Sequence, residues 1–146
     1  NAFDVIGRFM HMGIDPYNLV AALNGVVAQR LIRVNCAACA VDVTPAADLL
    51  HESGLDGPGA ATGYVFRAGS GCGQCRGTGY RGRKAIAEVL LLDDELRDLI
   101  IGRAPLRQLK DTARRRGFVN LRDAGLALVR DGLTTLQELN RVTFVA

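Results

Sequence analysis

Two pairs of cysteines constrain this chain more than anything else in it. All four cysteines fall in Cys-x-x-Cys pairs, Cys36/Cys39 and Cys72/Cys75, with 32 residues between the pairs. Two-residue spacing lets two thiolates from one tight turn reach one ion. Two such turns complete a tetrahedral four-thiolate site, which Zn2+ favours. The segment between the pairs is rich in Gly, Ala and Pro, so apolar burial alone does not order it. Closing a loop of this length costs about 3 kcal/mol. A structural zinc supplies about 10–16 kcal/mol in small metal-folded peptides, so the metal outweighs loop closure. Disulfides compete with this reading, but nothing in the chain indicates secretion, and Cys-x-x-Cys closes a tight, often redox-active ring. A thioredoxin-like site needs one pair at a strand-to-helix junction, not two pairs. Four thiolates leave no open coordination position, so the metal is expected to be structural. His11 and His51 are not needed as ligands; a cap or surface role is expected for the first and a solvated side chain for the second.

The flanks read as ordinary globular chain. The apolar fraction is 49 %, enough for a buried core. Net charge is only +3, too small an excess to argue for nucleic acid or an anionic membrane. No apolar run approaches the roughly 20 residues needed to span a bilayer. The chain opens with Asn1, Ala2, Phe3 and Asp4, without a basic signal-peptide start, and is read as a piece of a longer protein. A phosphate-binding P-loop needs Gly-Lys-Ser/Thr. Lys84 and Lys110 are the only lysines and neither follows a glycine, so this segment holds no Walker A site.

Start and stop signals divide the rest. Asn1 with Asp4 starts a helix that Gly13 closes. Asp15-Pro16 starts a second, in which Leu19, Val20, Leu23, Val26, Val27 and Leu31 form one stripe, predicting helix to about Val34. Thr44-Pro45 begins a short helix through Leu49 and Leu50 that Gly54 ends, and Tyr64-Val65-Phe66 is a strand candidate. Arg83 to Leu92 reads as a strand. Its apolar residues fall on both faces, Ile86 and Leu90 on one and Val89 and Leu91 on the other, which suits burial on both sides. Four helices follow: one capped by Asp93 or Asp94, one opened by Pro105, one by Asn120, and one by Thr135 with Glu138 at capping-box spacing. The expected class is mostly α with a small β component.

Three patterns are decoys. Gly77-Thr-Gly79-Tyr-Arg-Gly82 matches G-x-G-x-x-G but follows a cysteine knuckle and precedes a strand, so its glycines are expected to serve turns. Val89 to Asp94 looks like a Walker B strand, yet with no Walker A before it Asp93 is better read as a helix cap. Arg114, Arg115 and Arg116 suit a helix C-terminus, and a solvated face is the default for them.

The motifs taken together resemble a known family. Met12-Gly-Ile-Asp-Pro16, Leu23-Asn-Gly-Val-Val-Ala-Gln-Arg-Leu31 and the two cysteine pairs occur in order. Cys75 is followed by x-Gly-Thr-Gly-Tyr-Arg-Gly-Arg83, and Gly132-Leu-Thr-Thr-Leu136 and Arg141-Val-Thr143 complete the set. From about Asn1 to Thr143 the chain is similar to the C-terminal part of type II secretion ATPases and of type IV pilus assembly ATPases. The resemblance implies a hexameric RecA-like P-loop ATPase, peripheral at the cytoplasmic face of the inner membrane. Such an enzyme drives pseudopilus or pilus assembly through an inner-membrane platform protein, with ATP and Mg2+ bound N-terminal to the matched segment. It implies three parts: 1–34 as terminal helices of the RecA-like core, 35–81 as a tetracysteine metal-binding subdomain, and 82–146 as a strand plus C-terminal helical subdomain. The strand from Arg83 to Leu92 would join the edge of the RecA-like sheet. Cys36, Cys39, Cys72 and Cys75 are the implied Zn2+ ligands, and no catalytic residue is placed in this chain. The four cysteines favour the assembly and secretion branch over pilus retraction, and the Gly-Thr-Gly-Tyr-Arg-Gly-Arg run leans to secretion. One departure is Ala85-Ile-Ala-Glu88, where many relatives read Gly-Ile-Tyr-Glu.

Two other readings start from the cysteines. The zinc region of J-domain chaperones matches Cys72-x-x-Cys75-x-Gly77-x-Gly79, but repeats that unit four times, and Cys36-Ala-Ala-Cys39 lacks the glycines. A zinc-ribbon nucleic-acid module wants basic and aromatic residues interleaved near its knuckles. Here only Arg33, Arg67, Arg76, Arg81 and Arg83 with Phe66 and Tyr80 stand there, and no nucleic-acid partner is expected.

Overall fold

The computed structural model describes residues 1–143. Its elements in order are α1 (Ala2–His11), α2 (Pro16–Ala22), β1 (Gly25–Asn35), β2 (Ala40–Asp42), α3 (Ala47–Glu52), β3 (Arg67–Gly69), β4 (Tyr80–Leu91), α4 (Asp94–Ile101), α5 (Leu106–Arg115), α6 (Leu121–Arg130) and α7 (Leu136–Val142), with one 3-10 turn at Gly73–Cys75. With helix at 43 % and strand at 20 %, the fold is mixed α/β rather than mostly α. Among the described residues no helix is long and apolar enough to cross a membrane.

The local signals act as their chemistry requires. Asn1 and Asp4 form a reciprocal capping box, and the Asp15, Asp93 and Thr135 side chains accept the first free N–H groups of α2, α4 and α7. The second helix is the main departure from the sequence reading. It stops at Ala22, and the residues expected to continue it to Val34 form the 11-residue strand β1. Leu19, Val20, Leu23, Val26, Val27 and Leu31 satisfy a helical spacing. In the structure Val26 and Ile32 are buried, two residues of one strand face, while Val27 and Leu31 are exposed. Asn24-Gly25 is the break. A Cβ on Gly25 would lie 2.9 Å from the Leu90 carbonyl oxygen, so β1 and β4 approach too closely there for a side chain.

The strands β1 and β4 pair in a two-stranded sheet. The Leu92 N–H donates to Asn24 O, and the Cys36 N–H donates to Gly79 O, so the strands run antiparallel and residues 36–79 form the connection of one long hairpin. The strand β4 begins three residues before the expected Arg83 because Tyr80, Arg81 and Gly82 continue the pairing. Ile86, Glu88 and Leu90 are buried, while Val89 and Leu91 are 50 and 72 % exposed, so in this chain the strand buries one face, not two. A second pair, β2 and β3, is antiparallel with Val41 opposite Ala68. Tyr64, Val65 and Phe66 are not this strand. It begins at Arg67, and Phe66 O instead accepts from the Val43 N–H.

The chain forms two compact units, Asn1–Gln29 with Ala87–Asn120, and Arg30–Ile86 with Leu121–Ala146. The first packs Phe3, Ile6, Leu19, Leu90, Leu96 and Ile100 into a core, with Phe3 edge-on to Phe118 at 5.2 Å. Buried Glu88 accepts from the Ala2 N–H at the start of α1. The second packs Ile32, Leu55, Ile86, Val129, Leu136 and Leu139.

Within the second unit a buried carboxylate finishes the edge of β1. The Arg33 N–H donates to Glu138 Oε1 at 3.0 Å, and the Arg33 guanidinium donates to Oε2 at 2.9 and 2.6 Å. Arg141 adds two further bonds at 2.8 and 2.7 Å. Thr134 Oγ1 donates to Arg33 O, and the Asn35 N–H donates to Leu133 O. Edge groups that would otherwise stay unpaired are therefore satisfied by residues 133–138. Burial pushes the Glu138 carboxyl up, but the two arginines outweigh it and hold it at about 2, against an ordinary 4.5. The folded value is the lower one. The stabilisation is therefore complete above pH 4.5 and is lost as pH falls towards 2, about 2 kcal/mol once screening at the half-exposed arginines is allowed for. Glu138→Gln is expected to lower urea-unfolding stability by about that amount at pH 7. The gap should narrow between pH 4.5 and pH 2, and a gap independent of pH would contradict the assignment.

Candidate metal centre

The four cysteines come together from the two ends of the hairpin connection. Cys36 follows the last residue of β1, and Cys39 immediately precedes β2; a turn between them closes with the Cys39 N–H on Cys36 O at 3.1 Å. Cys72 lies after β3, and Cys75 ends the 3-10 turn. The pairing of β2 with β3 holds the two knuckles side by side, and the Ser70 N–H and hydroxyl both donate to Cys39 O.

The sulfurs lie 3.9 Å apart for Cys36–Cys72, 3.8 Å for Cys39–Cys75 and 3.7 Å for Cys72–Cys75, and all four lie within 4.8 Å of one another. A tetrahedron of sulfurs about 2.3 Å from a central ion has edges of about 3.8 Å. The spacing fits such an ion and is far longer than a disulfide bond of about 2.05 Å. Every cysteine is free, with Cys36 and Cys75 buried and the other two half-buried.

The backbone is arranged for a thiolate. The Cys72 N–H donates to Cys75 Sγ at 3.1 Å and the Gly79 N–H at 3.3 Å. Burial pushes the Cys75 thiol up, yet these donors outweigh it and bring it down to about 6. Cys39 goes the other way, to about 11, first through burial and then through the neighbouring thiols. Four adjacent thiols without a cation cannot all ionise together, and a bound divalent ion removes that conflict.

Gly79 is the crossing point. Its N–H reaches Cys75 Sγ, its oxygen accepts from Cys36, and φ is +76°. A Cβ there would meet Gly69 O at 2.5 Å, and one on Gly69 would collide with Gly79 O. Only paired glycines allow the two backbones to touch. The glycines of the 77–82 run thus serve the knuckle and the strand entry, with Gly77 and Gly82 also at positive φ.

His11 is exposed and outside the cluster. His51 is also outside it but is not merely solvated: it pairs with Asp56 at 2.6 Å, and this hydrogen bond raises its pKa. Asp93 caps α4 and lies 3.6 Å from Arg116, whose guanidinium also meets Glu95, while Arg115 reaches Glu95 at 3.2 Å. Arg115 and Arg116 are therefore exposed but paired with carboxylates at the start of α4. Sequence reasoning missed Asn35, which stands beside Cys36 and donates from its amide to Arg67 O at 2.8 Å and Gly132 O at 3.0 Å. The only signal was an amide beside the first cysteine.

A family model described as type II/IV secretion system protein matches residues 1–141. The chain is 41 % identical over 139 residues to a type IV pilus assembly ATPase PilB of Thermus thermophilus, covering 95 % of this chain and 16 % of that protein. It is 38 % identical over 143 residues to a type II secretion system protein E of Pseudomonas aeruginosa, covering 98 % of this chain and 28 % of the relative. It is also 38 % identical over 142 residues to a type II secretion system ATPase E of Vibrio cholerae, covering 97 and 27 %. The chain thus spans 16 to 28 % of the length of these curated relatives. With the match running through both cysteine knuckles and through the helices on either side, the chain belongs to the type II/IV secretion system protein family.

Proposed function

We propose that the chain is the C-terminal part of a hexameric RecA-like ATPase that powers type II secretion by driving pseudopilus assembly, and that its four cysteines hold one structural Zn2+. The observation that carries the metal reading is the sulfur spacing of 3.7 to 3.9 Å, which matches the edge of a zinc–thiolate tetrahedron. Zinc supplies a fixed cross-link between the ends of the hairpin connection. With four thiolates it has no open position for a substrate. The proposed division is 1–34 from the ATPase core, 35–81 as the metal subdomain and 82–146 as the C-terminal subdomain. Residues 144–146 lie outside the described residues.

In the longer protein, ATP and Mg2+ bind N-terminal to this segment. The assembly sits at the cytoplasmic face of the inner membrane, with copies of itself and an inner-membrane platform protein as partners. The exposed apolar residues Val27, Val89 and Leu91 support a sheet that the rest of the ATPase core covers. A second reading, type IV pilus assembly, is favoured by the 41 % identity to the Thermus pilus ATPase. Deleting the gene in its host and scoring exported enzymes and surface pili separates the two: loss of export with normal pili supports secretion, and the reverse supports the pilus reading.

Metal analysis of the purified chain is expected to give one zinc per chain, and zinc-free protein with oxidised or free thiols would reject the site. Gly79→Ala should weaken zinc retention about 10- to 100-fold, the range for disturbed supporting contacts, against a competing chelator. Gly73→Ala, where a Cβ meets nothing within 4 Å, should leave it unchanged. The chain alone is expected to release no phosphate from ATP, having no P-loop to cradle it. Metal-dependent turnover by the purified chain would overturn that.

A further inference from the structure

The environment of Asn35 connects the metal centre to a distant turn of the same unit. The residue is 6 % exposed. The amide nitrogen bridges Arg67 O and Gly132 O, and the backbone N–H donates to Leu133 O at 2.8 Å. Among the described residues the buried amide oxygen has no hydrogen-bond partner. The orientation is therefore set by the two donor bonds, since the flipped amide would press its oxygen against two carbonyls.

Each end of this bridge leads somewhere definite. Asn35 is bonded to Cys36. The Arg67 guanidinium donates to Ala40 O, the residue after Cys39. Asn35 therefore adjoins Cys36 directly and reaches the residue after Cys39 through Arg67. On the other side, Gly132 has φ +70°, and a Cβ there would lie 2.8 Å from Arg67 Cδ and 3.1 Å from Val65 O. The Val65 N–H donates to Arg130 O, which completes the seam. The turn between α6 and α7 then leads through Thr134, bonded to Arg33 O, and Thr135, bonded to Tyr80 Oη at 2.7 Å, to the Glu138 carboxylate.

We propose that Asn35 is a positioning residue that couples the four-thiolate site to the α6–α7 turn, so that filling the site orders Gly132–Glu138 and a well-packed turn slows metal release. The coupling rests on the zinc reading above. Without the ion, the two knuckles are held by their own turns, the Cys36–Gly79 and Ser70–Cys39 hydrogen bonds and the three-residue β2–β3 pair. Arg67 is then free to leave Asn35, and the turn loses the seam it leans on. The helices α4 and α5, in the other unit, take no part in this path.

Amide hydrogen exchange of the whole 146-residue chain tests this, with zinc bound and after removal by a chelator. Zinc is measured first, and a chain that binds none fails the metal reading itself. With one zinc bound, its removal is expected to speed exchange at least tenfold at Leu133 and Glu138–Leu139, leaving Arg97–Ile101 of α4 unchanged. Unchanged protection at Leu133–Leu139 overturns the coupling while sparing the zinc site, and loss of protection everywhere, α4 included, overturns it equally. Asn35→Asp keeps the shape but faces a carboxylate to two carbonyls. It should release zinc to the chelator at least tenfold faster while keeping the thiolate absorption of the Co2+-substituted site. Wild-type release rates in that variant would also overturn the proposal, and should the variant fail to fold, the wild-type exchange comparison decides alone.

Discussion

The interaction on which the second unit depends is the neck of the β1–β4 hairpin. The two strands meet at one end through Asn24 and Leu92 and at the other through Cys36 and Gly79. A hairpin ordinarily turns in two to five residues. Here residues 36–79 stand in place of the turn. Entropy opposes ordering so long a connection, and its apolar residues cover only part of one core. Four sulfurs at the neck change the balance. They sit where the connection leaves one strand and shortly before it re-enters the other, so one ion there ties the ends of the loop and not its middle. The apolar residues in between, among them Leu49, Leu50, Leu55, Tyr64 and Phe66, then need only to pack onto Val129, Leu136 and Leu139.

The same neck explains the concentration of polar burial around it. A two-stranded sheet is marginal by itself and leaves edge groups unpaired. Along the last residues of β1 these groups are met by Leu133 O, Thr134 Oγ1 and Glu138 rather than by a third strand. A carboxylate suits that position because it accepts from a backbone N–H and from two guanidinium groups at once, which no amide or hydroxyl does. The arginines remain half-exposed, so only one charge of the cluster loses its water. Arg33 also lies 4.3 Å over the Tyr80 ring, which fixes its stem across the start of β4.

The cysteine knuckles and the helix starts were legible in the sequence because each depends on residues close in the chain. Asn1 with Asp4, Asp93, and Thr135 with Glu138 are caps three residues long, and the two-residue cysteine spacing is shorter still. What failed is what depends on a partner far away. The stripe through Val26 and Leu31 satisfied a helix until Gly25 met Leu90, 65 residues on. Glu138 was legible as part of a cap, and its N–H does donate to the capping Thr135 Oγ1, but its side chain serves Arg33, 105 positions earlier. Asn35 and the Gly69–Gly79 contact carry no local signal, since an asparagine or a glycine beside a cysteine suits many turns.

These long-range contacts also bear on what a metal held by the four cysteines would do. A centre whose purpose was chemistry would need an open coordination position and a cleft leading to it. This one has four thiols from two knuckles, two of them buried, with backbone N–H groups donating to Cys75 Sγ. Its contacts run outward into structure: Cys36 to the strand neck, Cys39 to Ser70, Cys75 to Gly79, and through Asn35 to the turn before α7. An ion in such a position acts on the chain around it. It would fix where β1 ends relative to where β4 begins, close to Ile32 and Ile86, which pack with Val129, Leu136 and Leu139.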